Sequence, residues 1–142
     1  MKKILLIILL LLVGCKANNI KENSVSKEGD IINSIKIVIN DLEYNINLEN
    51  NETVNELLKV LPIDTNMNEL DGNEYYTYLD YELPTNSYRP KNITKGDVML
   101  YGNNCLVIFY KSFDTNYSYT KIGHIDDLPD LNNNNIKVNI GG

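Results

Sequence analysis

Few side chains in this chain are suited to covalent or acid–base chemistry, and they stand far apart. Cys105 lies in "YGNNCLVIFYKSF", residues 101–113, among Tyr101, Phe109, Tyr110, Phe113 and Lys111. A nucleophilic thiol needs a cation or an imidazole beside it to lower its pKa. Cys105 instead sits inside an apolar run, and the single histidine, His124, belongs to a later segment. The stretch therefore reads as a strand, with Cys105 buried and Lys111 solvated. His124 is followed by Asp126 and Asp127, a start for a metal site, but a structural zinc wants four ligands at suitable spacing. A strand-end histidine is the expectation. "DTNMNELDGNE" lacks the glycine and glutamate spacing of a calcium loop. No catalytic residue, metal or cofactor is predicted.

The second cysteine has a different context. "MKKILLIILLLLVGC" opens with Lys2 and Lys3, continues through an apolar run from Ile4 to Val13, and ends at Gly14-Cys15. The run has signal-peptide length and is short for a bilayer core of ~30 Å. The order resembles a bacterial lipobox, in which cleavage precedes the cysteine and its thiol receives a diacylglyceryl group. Residues 1–14 are thus expected to be a lipoprotein signal peptide and Cys15 the lipidated residue. Each buried methylene contributes ~0.8 kcal/mol, so two or three chains anchor a protein on a membrane surface. With Cys15 taken by lipid, Cys105 has no partner for an intramolecular disulfide.

Charge narrows the partners. Lys and Arg number 13 against 19 Asp and Glu, a net charge of -6. Loss of residues 1–14 would remove Lys2 and Lys3 and no acid. An acidic chain gains nothing from the counterion release that drives nucleic-acid binding, so no nucleic acid is expected. The expected partners are the membrane, through the lipid, and a peptide or small molecule. Residues 16–33, "KANNIKENSVSKEGDIIN", are polar and mixed in charge, the composition of a tether. As a flexible coil they would span roughly 20–25 Å.

The elements that would position a site begin at Ser34, and residues 34–142 read as one domain. Ile35, Ile37 and Ile39 alternate, as do Leu42, Tyr44, Ile46 and Leu48. A two-residue turn at Asn40-Asp41 pairs Ile39 with Leu42 and keeps these side chains on one face. "TVNELLKVLP" predicts a short amphipathic helix, with Thr53 and Glu56 as a capping box and Pro62 as its stop. After it come strand signals. "YYTYLDYEL" alternates from Tyr75 to Leu83. "GDVMLYG" and "CLVIFYK" join through Gly102-Asn103-Asn104. "YTKIGHI" and "NIKVNI" follow. Val107 and Phe109 face one way, and Leu106, Ile108 and Tyr110 the other. A strand apolar on both faces is buried on both, here between a barrel interior and a covering helix. Seven or eight short strands with one helix predict a mainly β fold, a small closed β-barrel.

The succession of the hairpin, the capped helix, Tyr88-Arg89-Pro90, Gly96-Asp97, "YGNNCLVIFYK" and "KIGHID" at 121–126 resembles a bacterial family of cyclophilin-like fold proteins. The match runs from about Ser34 to Ile140, with Tyr101-Gly102 where members often carry Trp-Gly. The resemblance implies a compact cyclophilin-like β-barrel and no chemistry. Two functions are weighed. Prolyl isomerisation crosses a barrier of ~18–20 kcal/mol. Cyclophilins meet it with an arginine beside an aromatic-lined proline pocket and a Gly-Ser-Gln-Phe-Phe type strand. Here Arg89 has no neighbouring Phe and that strand is missing. The preferred expectation is a membrane-anchored, non-catalytic binding module. Tyrosine offers apolar area with a polar tip, and Tyr78, Tyr101 and Tyr110 are the candidates for ligand contact.

Overall fold

Asn40 and Asp41 both take positive φ, 47° and 68°, the two-residue turn whose twist matches right-twisted strands. They join β1 (Ser34–Ile39) to β2 (Leu42–Leu48), with Ile39 opposite Leu42, Ile37 opposite Tyr44 and Ile35 opposite Ile46. This is the register expected from the alternation. The computed structural model describes residues 31–142, so the expected signal peptide, Cys15 and most of the expected tether lie outside the described residues. The Asn40 side chain also accepts from the Lys137 amide at 2.9 Å, fastening the turn to the last strand.

The other strands are β3 (Ile63–Leu70), β4 (Glu74–Tyr78), β5 (Asn92–Ile93), β6 (Asp97–Tyr101), β7 (Cys105–Phe109), β8 (Phe113–Asp114), β9 (Thr120–Ile125) and β10 (Asn135–Ile140). Eight of the ten strands close into an antiparallel barrel in the order β1-β10-β3-β4-β7-β6-β9-β2, with β1 paired back to β2. Closure leaves no unpaired edge in the barrel wall. β5 and β8 form a separate two-stranded sheet. Two residues per strand are too few to produce an alternation, so this pair had no sequence signal.

Inward side chains fill the barrel. Ile37, Ile46, Met67, Tyr75, Val98, Leu100, Leu106, Ile108, Ile122, Ile136 and Val138 belong to one buried cluster. The helix α1 (Glu52–Lys59) adds Val54 and Leu57 to it. Its cap differs from the expectation. Asn51, not Thr53, is the N-cap, and its Oδ1 accepts from the Val54 amide at 2.9 Å. The same side chain donates from Nδ2 to Lys121 O at 2.8 Å, which fixes the helix start to β9. Thr53 is buried and donates to Pro84 O at 2.6 Å, so its hydroxyl serves the loop after β4 instead.

Two further corrections concern β4 and β7. The alternation from Tyr75 to Leu83 continues past the strand, which stops at Tyr78. Leu79 and Leu83 stay buried because their amides donate to Asn104 O and Asn103 O, hooking the loop over the β6–β7 turn. β7 is buried on both faces as its composition required. Its outer face, however, is not covered by the helix. Cys105, Val107 and Phe109 pack with Ile93, Met99, Phe113 and Tyr119 in a second cluster, under the small sheet and the segment beside it.

Candidate functional site

The outer face of β4, β7 and β6 carries Tyr76, Tyr78, Phe109 and Tyr101, while Tyr75 of β4 belongs to the interior cluster. In register, Tyr78 lies opposite Cys105 on one side and Tyr101 lies opposite Cys105 on the other. Directly opposed residues share a face, so Tyr78, Cys105 and Tyr101 form one row across three strands. Neighbouring strands are ~4.8 Å apart, which places the two tyrosine backbones roughly 10 Å apart with a small thiol between them. Tyr78 is 67% exposed and Tyr101 47%. Each ring is braced by its own neighbours. Tyr78 meets Tyr76 edge-on at 5.9 Å, and Tyr101 lies 5.7 Å from Tyr119 and 6.1 Å from the exposed Tyr117. Tyr119 in turn stands edge-on to Phe109 at 5.4 Å.

Tyr110, the third candidate, does not join this row. It is 7% exposed and belongs to the interior cluster, against Tyr75 at 4.9 Å. Its hydroxyl donates to Glu69 Oε1 at 2.9 Å, and burial with that carboxylate pushes its pKa up to about 12. Tyr110 follows Phe109 in β-type alternation, so the parity that puts Phe109 outside puts Tyr110 inside.

The electrostatics of the face are those of a protonated, apolar floor. Burial first, and then the Glu74 carboxylate, raise the pKa of the Cys105 thiol, which favours the protonated thiol over the thiolate that nucleophilic chemistry needs. Burial, then Asp71 and Glu69, raise Glu74 to about 7. A raised carboxyl pKa means the folded chain holds a proton that the unfolded chain has released. That contribution is fully present below about 4.5, the ordinary value, and is lost as pH rises through about 7. Glu74→Gln is therefore expected to raise the melting temperature over wild type at pH 8 and to leave it nearly unchanged at pH 5. Calorimetric scans of both proteins across that range check this; an equal difference at the two pH values would refute it.

Beside the aromatic residues runs an open surface cavity of about 440 Å³, lined by the exposed Arg89, Lys91, Asn92, Asp114 and Asn116 and by the half-buried Thr115. The sequence places Arg89 in a Pro-flanked loop without a neighbouring Phe. The β5–β8 pairing, invisible in the sequence, is what gives that loop a wall. Elsewhere, His124 Nδ1 pairs with Asp97 Oδ1 at 2.9 Å, and Asp97 Oδ2 accepts from the Thr94 amide at 2.9 Å. The buried Asp97 thus ties the β5–β6 connection to β9. Among the described residues no three His, Cys, Asp or Glu side chains are grouped to hold a metal.

A closed eight-stranded antiparallel barrel, with one short helix packed on its core and a row of exposed tyrosines on one outer face, makes a small cyclophilin-type barrel domain. The chain belongs to the cyclophilin-like family: the family model of that description matches residues 37–141, from β1 to the residue after β10. No curated protein and no solved structure matches it.

Proposed function

We propose that this chain is an exported lipoprotein held on a membrane by lipid on Cys15, and that its barrel is a non-catalytic module for binding a peptide or small molecule. The leader sequence supports the anchor. The observation that carries the binding reading is the row Tyr78–Cys105–Tyr101, two exposed and braced rings flanking a small apolar floor. Such a slot accepts an extended chain or a flat ring between the tyrosines, and a ring preset by its neighbours loses little freedom on contact. Exposed aromatic anchors of this kind carry most of the energy where they do bind. The isomerase reading draws no support from Arg89, whose cavity is walled by polar side chains rather than phenylalanines.

The test uses peptides selected on the wild-type chain from a random display library. Tyr78→Ala and Tyr101→Ala are each expected to weaken the selected peptides about tenfold, ~1.4 kcal/mol. Stability should move by less than about 0.5 kcal/mol, as for most surface substitutions. The chain has ten tyrosines and no tryptophan, so its emission averages over sites, and calorimetric titration of wild type and both variants measures the affinities. Selected peptides that bind both variants as tightly as wild type would remove the row from the reading.

A further inference from the structure

The cavity has an ionic character that the tyrosine row does not use. Arg89 and Lys91 line it together, and neither has an acidic partner within 4.0 Å among the described residues. Lys59, Lys95 and Lys121 are each matched to a carboxylate. Lys36, Lys111 and Lys137 are unmatched too among the described residues, so what sets Arg89 and Lys91 apart is that they share one recess. Asp114 shares the cavity wall, but its Oδ1 accepts from Asn92 Nδ2 at 3.2 Å rather than from either cation. The walls are also pinned. Asn92 pairs with Asp114 and Ile93 with Phe113, and the Thr115 amide donates to Lys91 O at 2.8 Å. Lys91 itself is held at a φ of 66°, a backbone state that an L side chain adopts at some cost. The two cations therefore project from a fixed frame, in a protein whose net charge is -6.

We propose that this cavity is an anion subsite that receives a carboxylate group. A guanidinium presents a planar fork that matches a carboxylate in two parallel hydrogen bonds. Lys91 supplies a second charge, and Asn92, Asn116 and Thr115 supply neutral polar groups around it. Two cations against one carboxylate leave a single positive charge, which the Asp114 carboxylate in the same wall offsets. That balance suits a monoanion and disfavours a phosphate dianion. A volume of about 440 Å³ falls in the range of small-ligand sites, roughly 300–1,000 Å³. The wall residues Thr115 and Asn116 lead directly into Tyr117, whose amide donates to Thr115 Oγ1 at 3.1 Å and whose ring meets Tyr101. A ligand with an acidic end and an apolar body would find both parts along one segment. The subsite stands on the cavity's own walls, and it holds whether or not the tyrosine row binds.

The experiment is an NMR titration of the full chain in detergent with N-acetyl-Ala-Ala as the free acid and as its amide. The acid is expected to shift the Asn92 and Asn116 backbone amides and the Arg89 Nε–H saturably. The amide should bind at least about tenfold more weakly, and added salt should weaken the acid alone. Arg89→Gln is expected to erase the preference for the acid, while Tyr101→Ala leaves that preference intact. Equal affinity for acid and amide, or no saturable shift at those three positions, would overturn the subsite. Inorganic phosphate displacing the acid at lower concentration would overturn its assignment to a carboxylate. A failure of the tyrosine reading would look different, with Tyr101→Ala leaving both affinities untouched.

Discussion

Gly96→Ala is expected to destabilise the barrel by about 3–5 kcal/mol. Gly96 has a φ of +97°, where an L side chain is strained. An added Cβ would press into Ile125 O and stand 3.0 Å from His124 Cε1. The backbone cannot back away, because the Gly96 amide donates to Phe109 O and Gly96 O accepts from the Ile125 amide, both at 2.8 Å. Strain and overlap therefore add. Domains of this size are stable by about 5–15 kcal/mol, so the loss is a large share. Urea denaturation should show a much lower midpoint with an unchanged slope. Gly72→Ala is the control: its φ is +72° but nothing lies within 4 Å of the added carbon, so only the conformational cost of ~1–2 kcal/mol applies. Should the two substitutions cost the same, the close approach at Gly96 would not be a constraint.

The second large effect is one of processing. Cys15→Ser is expected to abolish lipid attachment and to block normal processing, leaving a precursor that keeps residues 1–14. A serine hydroxyl cannot form the thioether that carries the diacylglyceryl group, and in the proposed reading cleavage before residue 15 follows that attachment. The apolar run from Ile4 to Val13 then stays on the chain, whereas the processed wild type is held by acyl chains, whose apolar burial makes attachment durable. Labelling with palmitate and the mass of the product measure both consequences. Wild-type labelling of the Cys15→Ser variant would end the lipoprotein reading.

The parts of the fold that were legible in the sequence are those written in local periodicity. Ile35, Ile37 and Ile39 set one strand, Asn40-Asp41 set its turn, and the β7 run needed burial on both sides. The cap differs for a physical reason. Asn51 and Thr53 are both good cap residues, and distant groups make the choice, Lys121 O for one and Pro84 O for the other. The strand from Tyr75 ends early because burial of Leu79 and Leu83 mimics alternation, although their amides bond to the β6–β7 turn rather than to a strand. Of the site, the row of Tyr78 and Tyr101 follows from parity, since both stand opposite Cys105. Tyr110 lies near the end of its run, a place that suggests a rim, yet the same parity turns it inward. The Arg89 cavity was out of reach: its walls come from two two-residue strands whose pairing only the assembled fold dictates.

The closure of the barrel through β1 bears on how the domain meets mechanical load. Asn33 O already accepts from the Leu48 amide, and β1 is then bonded on both sides, to β2 along its full length and to β10 over Ile37–Ile39. A pull on residue 33 against a hold at the opposite end of the barrel runs along the axis of β1, across the direction of its hydrogen bonds. Both ladders are then sheared together and must break nearly at once. A pull between residue 33 and the end of β10 acts differently, because the two antiparallel strands meet there and their ladder opens one bond at a time. The resistance of the domain thus depends on where it is held, and β1 is the strand that decides it.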